Sequence, residues 1–132
     1  MTVTPVAGKV TEGRSLKWRV SLSEPVDVDM SALFQVAPAT APELSTKDVP
    51  ARWLRDISGA KPDPERPLSK VDGLYLWADV PAGRTSVDVV LPTVKDRVRE
   101  ATEKVRFRQT DPRTGEPQAG GLELSGSVLN AS

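Results

Sequence analysis

The stretch SLKWRVSL, residues 15–22, sets Leu16, Trp18, Val20 and Leu22 against Lys17, Arg19 and Ser21. Successive side chains of an extended strand point to opposite faces, so strict two-residue alternation describes a strand with one buried and one wet face. The pattern recurs along the chain. EPVDVDM places Val26, Val28 and Met30 inward and Asp27 and Asp29 outward. TSVDVVL places Val87, Val89 and Leu91 inward, and KVRFRQ does the same with Val105 and Phe107. LELSGSVL contributes Leu122, Leu124 and, past Gly126, Val128, while GLYLWADV reads as a strand buried on both faces, Leu74 and Leu76 opposite Tyr75 and Trp77. Turn-forming runs separate them: SEP at 23–25, PAGRT at 81–85 and DPRTGEP at 111–117. Short strands joined by such turns make an antiparallel sandwich or barrel. Their shared phase predicts a core of Leu16, Trp18, Val20, Val89, Leu91, Val105, Phe107 and Leu124.

Two segments break the pattern. Residues 37–72 form a long Pro-rich loop, too long for a plain connection. Within it VPARWLRDI predicts one helical turn with Trp53, Leu54 and Ile57 toward the body. The plain reading is a cover over one edge of the sandwich; the alternative is a binding loop. The second segment is KDRVREATEKVRF, residues 95–107. It mixes Asp96, Glu100 and Glu103 with Lys95, Arg97 and Arg99, then alternates with Lys104, Arg106 and Arg108 outward. It reads as a loop or single turn entering a strand. Its acids can hold a metal ion or be ordinary surface charge.

Composition narrows the chemistry. The 132 residues suit one domain, 1–132, with a sizeable core. Charged residues make up 27% and balance to zero, so no global field draws the chain to nucleic acid or membrane. The absence of Cys and His removes disulfides, thiolate sites, the serine–histidine triad and most zinc or iron sites. A metal held here takes oxygen ligands, which means calcium or magnesium first. The first ten residues lack the basic start and apolar run of a signal peptide, and no run of 18 apolar residues exists to span a membrane.

The order VTEGRSLKWRVSLSEP, STKDV, GLYLWADVPAGRTSVDVVLPTVKDRVREATEKVRFR and LELSGSVLN resembles a Calx-beta domain, over nearly the whole chain apart from 37–72. The resemblance implies an immunoglobulin-like sandwich of about seven strands that in sodium–calcium exchangers binds calcium through loops at one end, and in bacteria occurs as repeated modules of surface proteins. It places the ligand positions on Glu12, Asp48, Asp96, the Val98 carbonyl, Glu100 and Glu103. Val49 stands where the family has Tyr, and Lys95 and Arg97 stand where it has aspartates. The family's terminal acidic run is replaced by Asn130, Ala131 and Ser132. It also implies that strands 16–22 and 85–91 pair antiparallel, which sets Lys17 or Arg19 across from Asp88.

Three readings of the acids stay open: a calcium site, a site in which Lys95 and Arg97 replace the ion by pairing with Glu12, Asp48 and Glu103, and plain surface charge. Paired carboxylates without an aromatic cleft argue against a glycosidase. The basic stripe Lys104, Arg106 and Arg108 suits a protected strand face better than a polyanion site. Trp18 is expected in the core, and Trp53 and Trp77 in core or loop-anchoring positions rather than a ligand platform. The expected function is a non-catalytic structural or adhesive module of a longer, extracytoplasmic bacterial protein with a degenerate calcium site; the alternative is a calcium-regulated binding module. A protein or cell-surface partner and a monomeric domain are expected, without nucleic acid or membrane insertion.

Overall fold

The computed structural model describes residues 1–95 and 102–129. Its strands are β1 (Thr2–Ala7), β2 (Lys9–Thr11), β3 (Leu16–Ser21), β4 (Met30–Ala37), β5 (Tyr75–Val80), β6 (Ser86–Leu91), β7 (Glu103–Thr110) and β8 (Glu123–Leu129), with one helix, α1 (Ala51–Ser58). They form two sheets, β1-β3-β6 and β2-β8-β7-β4-β5. All pairings are antiparallel except β2 with β8, which is parallel. The architecture is the expected all-β sandwich.

The alternating runs explain where the core lies. Leu16, Trp18 and Val20 of β3 and Val89 and Leu91 of β6 point from the smaller sheet onto Phe34, Val105, Phe107 and Leu124 of the larger one. All eight core residues expected from the alternation are buried. Fully burying a large apolar side chain contributes roughly 1.5–3 kcal/mol. The sheets are also joined by a hydrogen bond: Trp18 Nε1 donates to the Ser125 carbonyl at 2.9 Å. Gly126 leaves room for that indole. A Cβ there would sit 2.9 Å from both Leu16 methyls and 3.1 Å from Trp18 Cζ2. On the outward face β3 and β6 set Arg19 directly opposite Asp88, as expected, with Nε to Oδ1 at 3.0 Å. The hydrogen bond lowers the Asp88 carboxyl and raises the Arg19 guanidinium from their ordinary values.

Several expectations need correction. Val26, Val28 and Met30 do not make an inward strand face: residues 25–29 form a loop, Val28 is 61% exposed and Met30 only opens β4. Val26 and Asp29 fasten this loop to the 81–85 turn instead. The Gly83 N–H donates to the Val26 carbonyl at 2.9 Å and the Ala82 N–H to Asp29 Oδ1 at 2.8 Å. The strand lies just beyond, in MSALFQVA, where Leu33 and Phe34 are both buried and two-residue alternation is lost. GLYLWADV is buried on one face only. Leu74, Leu76, Ala78 and Val80 are inside, whereas Trp77 is 53% exposed, because β5 is an edge strand whose outer face no element covers fully. Trp77 is therefore not a core residue.

The two N-terminal strands lacked an alternating signal. β1 carries Pro5, tolerated because β1 is an edge strand, and its register with β3 shifts between Pro5 and Ala7. The chain then crosses at Gly8 to the other sheet, where β2 pairs with β8.

Residues 37–72 cover the sandwich rather than stand away from it. Leu44, Val49, Leu54, Leu68 and Val71 are all in the core. The helix is longer than the single turn expected. Pro50 precedes it and Gly59 follows it, and the φ of 75° at Gly59 and its N–H to the Arg55 carbonyl (2.8 Å) make a left-handed cap. Leu54 is buried and Trp53 packs on the core, but Ile57 is 37% exposed and does not face the body as expected.

Candidate functional site

Three loops meet at one end of the sandwich. The first follows β2, whose Val10 is an inward residue opposite Val128. Glu12, two residues on, keeps that inward phase and is 8% exposed, its N–H donating to the Leu129 carbonyl at 2.9 Å. Gly13 turns the chain with φ of 93°, a left-handed conformation suited to glycine. The second loop follows β6. Its Thr93 hydroxyl accepts from the Gly13 N–H at 2.9 Å and donates to the Arg14 carbonyl at 2.6 Å. Lys95 passes so close to Gly13 that a Cβ there would lie 3.3 Å from Lys95 Cβ. The third loop is the 45–48 turn. The Asp48 carbonyl accepts from the Val94 N–H at 3.0 Å, which ties this turn to the second loop.

Asp48 is 5% exposed, and its carboxylate closes its own turn. Oδ2 accepts from the Ser45 N–H at 2.7 Å, the Asp48 N–H donates to the Ser45 carbonyl at 3.0 Å, and Ser45 Oγ accepts from the Lys47 N–H at 3.2 Å. The Asp48 side chain thus bonds the Ser45 backbone N–H across an S-x-x-D spacing, one half of a capping box, while the Ser45 hydroxyl bonds the Lys47 N–H instead of that of Asp48. Two further contacts hold the turn's outer side. Ser45 Oγ donates to Glu65 Oε2 at 2.8 Å, and Lys47 Nζ pairs with Asp63 at 2.9 Å, which raises the Lys47 ammonium.

Of the six ligand positions expected, Glu12, Asp48 and Glu103 are described. Glu103 opens β7 opposite Val128 and shares the inward phase of Val105 and Phe107, so it lies at the same end as Glu12. Asp96, Val98 and Glu100 lie outside the described residues, as do Arg97, Arg99 and Asn130. Lys95 is exposed beside Gly13. Ion pairs among the described residues include Lys47–Asp63 beside the third loop, and Arg19–Asp88 and Arg106–Glu123 on the sheets.

The donors at this end are hard oxygens, the type calcium takes. Their grouping is another matter. Among the described residues no three acidic side chains come together as a metal site requires, and Asp48 Oδ2 already accepts a backbone N–H. The described residues therefore do not make a calcium site on their own. Thr93, which joins two of the loops, and Ser45, which closes the third, were missed from the sequence. The S-x-x-D spacing was the available signal for Ser45; Thr93 had none, since its partners are 79 and 80 residues away.

The two-sheet sandwich has the fold of a Calx-beta domain. Solved structures agree. A Calx CBD1 domain in its apo form superposes with a TM-score of 0.58 at 16% identity, covering 99% of this chain and 97% of that one. CBD12 from CALX1.2 gives 0.57 at 16% identity, and the calcium binding domain CBD12 of CALX1.1 gives 0.57 at 14%. The chain spans 44% and 46% of those two longer chains. No family model and no curated protein matches the sequence. No helix among the described residues is long and apolar enough to cross a membrane.

Proposed function

We propose that the chain is a non-catalytic Calx-beta-like module, structural or adhesive, with a degenerate calcium site. The observation that supports this is the closure of its acid-bearing end by the protein's own groups. The Thr93 hydroxyl joins the first and second loops, and the Asp48 carboxylate shapes the third. A calcium ion commonly does that joining with carboxylates from several loops. Here Lys95 takes a position the resemblance gives to an aspartate. The module serves as a unit of a longer, extracytoplasmic bacterial protein with a protein or cell-surface partner and no nucleic acid.

The second reading is a calcium-regulated binding module. It is favoured by the likeness to structures of calcium-binding domains and by the inward phase that Glu103 shares with Glu12. A thermal melt separates the two, run on wild type and Lys95→Asp with millimolar calcium and with chelator. The proposal expects little shift for wild type and a clear calcium response for Lys95→Asp. An ion present at a hundredfold excess over its dissociation constant stabilises by about 2.7 kcal/mol. A wild-type response of that size would replace the proposal by the second reading. No response from a folded Lys95→Asp would show that these acids form no inherited site.

A further inference from the structure

The outer face of the larger sheet has no part in that reading. The ladder register sets Lys9 of β2 beside Ser127 of β8, and Ser127 beside Lys104 of β7. The next row pairs Ser125 with Arg106, and the one after pairs Glu123 with Arg108. Opposed residues share a face, and this face is the reverse of the one that carries Val105, Phe107 and Leu124. Strands lie about 4.8 Å apart, so the backbones of Lys9 and Lys104 stand roughly 10 Å apart across a short serine.

The charges there are unbalanced. Arg106 forks onto Glu123, with Nε to Oε2 at 3.1 Å, which lowers the Glu123 carboxyl and raises the Arg106 guanidinium. Glu43, paired in parallel with Lys104, gives Oε1 to the Ala39 N–H at 3.1 Å. Lys9, Lys104, Arg106 and Arg108 thus face two carboxylates, in a chain whose formal charge is zero.

The same face is hollowed. A trough of about 240 Å³ runs over β7 and β8, with Lys104, Arg106, Ser125 and Ser127 along it, Gly8 at one side and Ala39 and Thr40 at the other. Arg106 Nη1 donates to the Pro38 carbonyl at 3.3 Å and so holds that second wall. Val105 and Gly126 also line it between the serines and the cations, so the two hydroxyls and the charged side chains are polar groups set on a partly apolar surface. Among the described residues no aromatic side chain lines it, whereas single-stranded nucleic acid is held largely by stacking on aromatic rings. Hydroxyls and ammoniums without rings suit an oxyanion carried on a hydroxylated chain.

We propose that the trough binds the sulfate or carboxylate groups of an acidic polysaccharide, with Lys104 and Lys9 supplying charge and Ser125 and Ser127 hydrogen-bonding the anionic oxygens. The proposal deepens the adhesive-module reading and rests on it. Calorimetric titration with chelator present, at about 50 mM salt to limit screening, tests it apart from any calcium response at the acid-bearing end. The probes are heparin for sulfate, polygalacturonate for carboxylate, dextran as a neutral chain and poly-dT as a nucleic acid. At least one acidic glycan should bind and dextran should not. Reversing a lysine charge should weaken that binding by about tenfold or more, so Lys104→Glu and, independently on another strand, Lys9→Glu should both lose it. Arg113→Glu, in the exposed 111–117 turn, should change it little. Absence of binding by both acidic glycans would overturn the proposal. So would an equal loss from Arg113→Glu, or binding of poly-dT as tight as that of the better glycan.

Discussion

Replacing Thr93 tests whether the loop end is held by a single hydroxyl. Thr93 is 7% exposed and its Oγ1 satisfies two backbone groups at once, the Gly13 N–H and the Arg14 carbonyl. Thr93→Val keeps the shape and adds apolar character, so a pure burial argument expects no loss. The hydrogen-bond argument expects the opposite. A buried backbone group left without a partner costs about 1–3 kcal/mol, and two partly buried ones give roughly 2–3 kcal/mol together. Thr93→Ser keeps the hydroxyl and removes one methyl, which costs about 1 kcal/mol. For a domain of this size that corresponds to a melting temperature lower by about 10 °C for Val and about 4 °C for Ser. Urea unfolding of the two variants gives the free energies directly. Valine matching or exceeding serine in stability would refute the reasoning, since it would mean that Gly13 and Arg14 find water or another partner at no penalty.

Gly126→Ala should destabilise by about 1–3 kcal/mol in a denaturant titration, because the new methyl meets both Leu16 methyls and the rigid Trp18 ring in a filled core; an unchanged midpoint would mean that the sheets can part freely there. Glu123→Gln should flatten part of the acid limb of a stability–pH curve. Glu123 is lowered in the folded state, so its pairing stabilises above its unfolded value and is lost as the pH falls through the folded one. With the two side chains 34% and 43% exposed, the loss at neutral pH should stay below about 1 kcal/mol.

How much of this was legible in the sequence follows from what each residue depends on. Alternation is a local property, and it located β3, β6, β7 and β8 together with their inward residues. The Arg19–Asp88 pair followed from the strand pairing that the resemblance implied. Failures came where a strand's environment differs on its two sides along the chain. MSALFQVA belongs to a strand flanked by β5 and β7, and Leu33 is buried on the outer face as Phe34 is on the inner, which erases the two-residue period. VDVD alternates perfectly and is a loop, because the Val26 carbonyl and the Asp29 side chain are taken by the 81–85 turn rather than by a ladder. Trp77 looked like a core residue because hydrophobicity reports what a side chain prefers, not whether an edge strand has a neighbour to cover it.

The acid-bearing end shows the same limit in the site itself. Counting carboxylates framed the question as metal against lysine, since those are the two cations that acids can attract. The described loops follow neither course alone: Asp48 is occupied by a backbone N–H and the loop crossing is made by a neutral hydroxyl. A hydrogen bond from a backbone donor stabilises a carboxylate's charged form, as a cation does, but it leaves no trace in charge spacing. What decides the cation's role is therefore the surroundings of Glu12 and Glu103, which the ladder brings to one end on one phase. Those surroundings are set by β2 and β7 flanking β8 in register, and the β2–β8 pairing joins residues more than a hundred positions apart, Lys9 with Ser127. Lys95 lies beside Gly13 at this end and takes no part in the Thr93 hydrogen bonds, so exchanging that one side chain for a carboxylate changes the charge between the loops while leaving the Thr93 crossing in place.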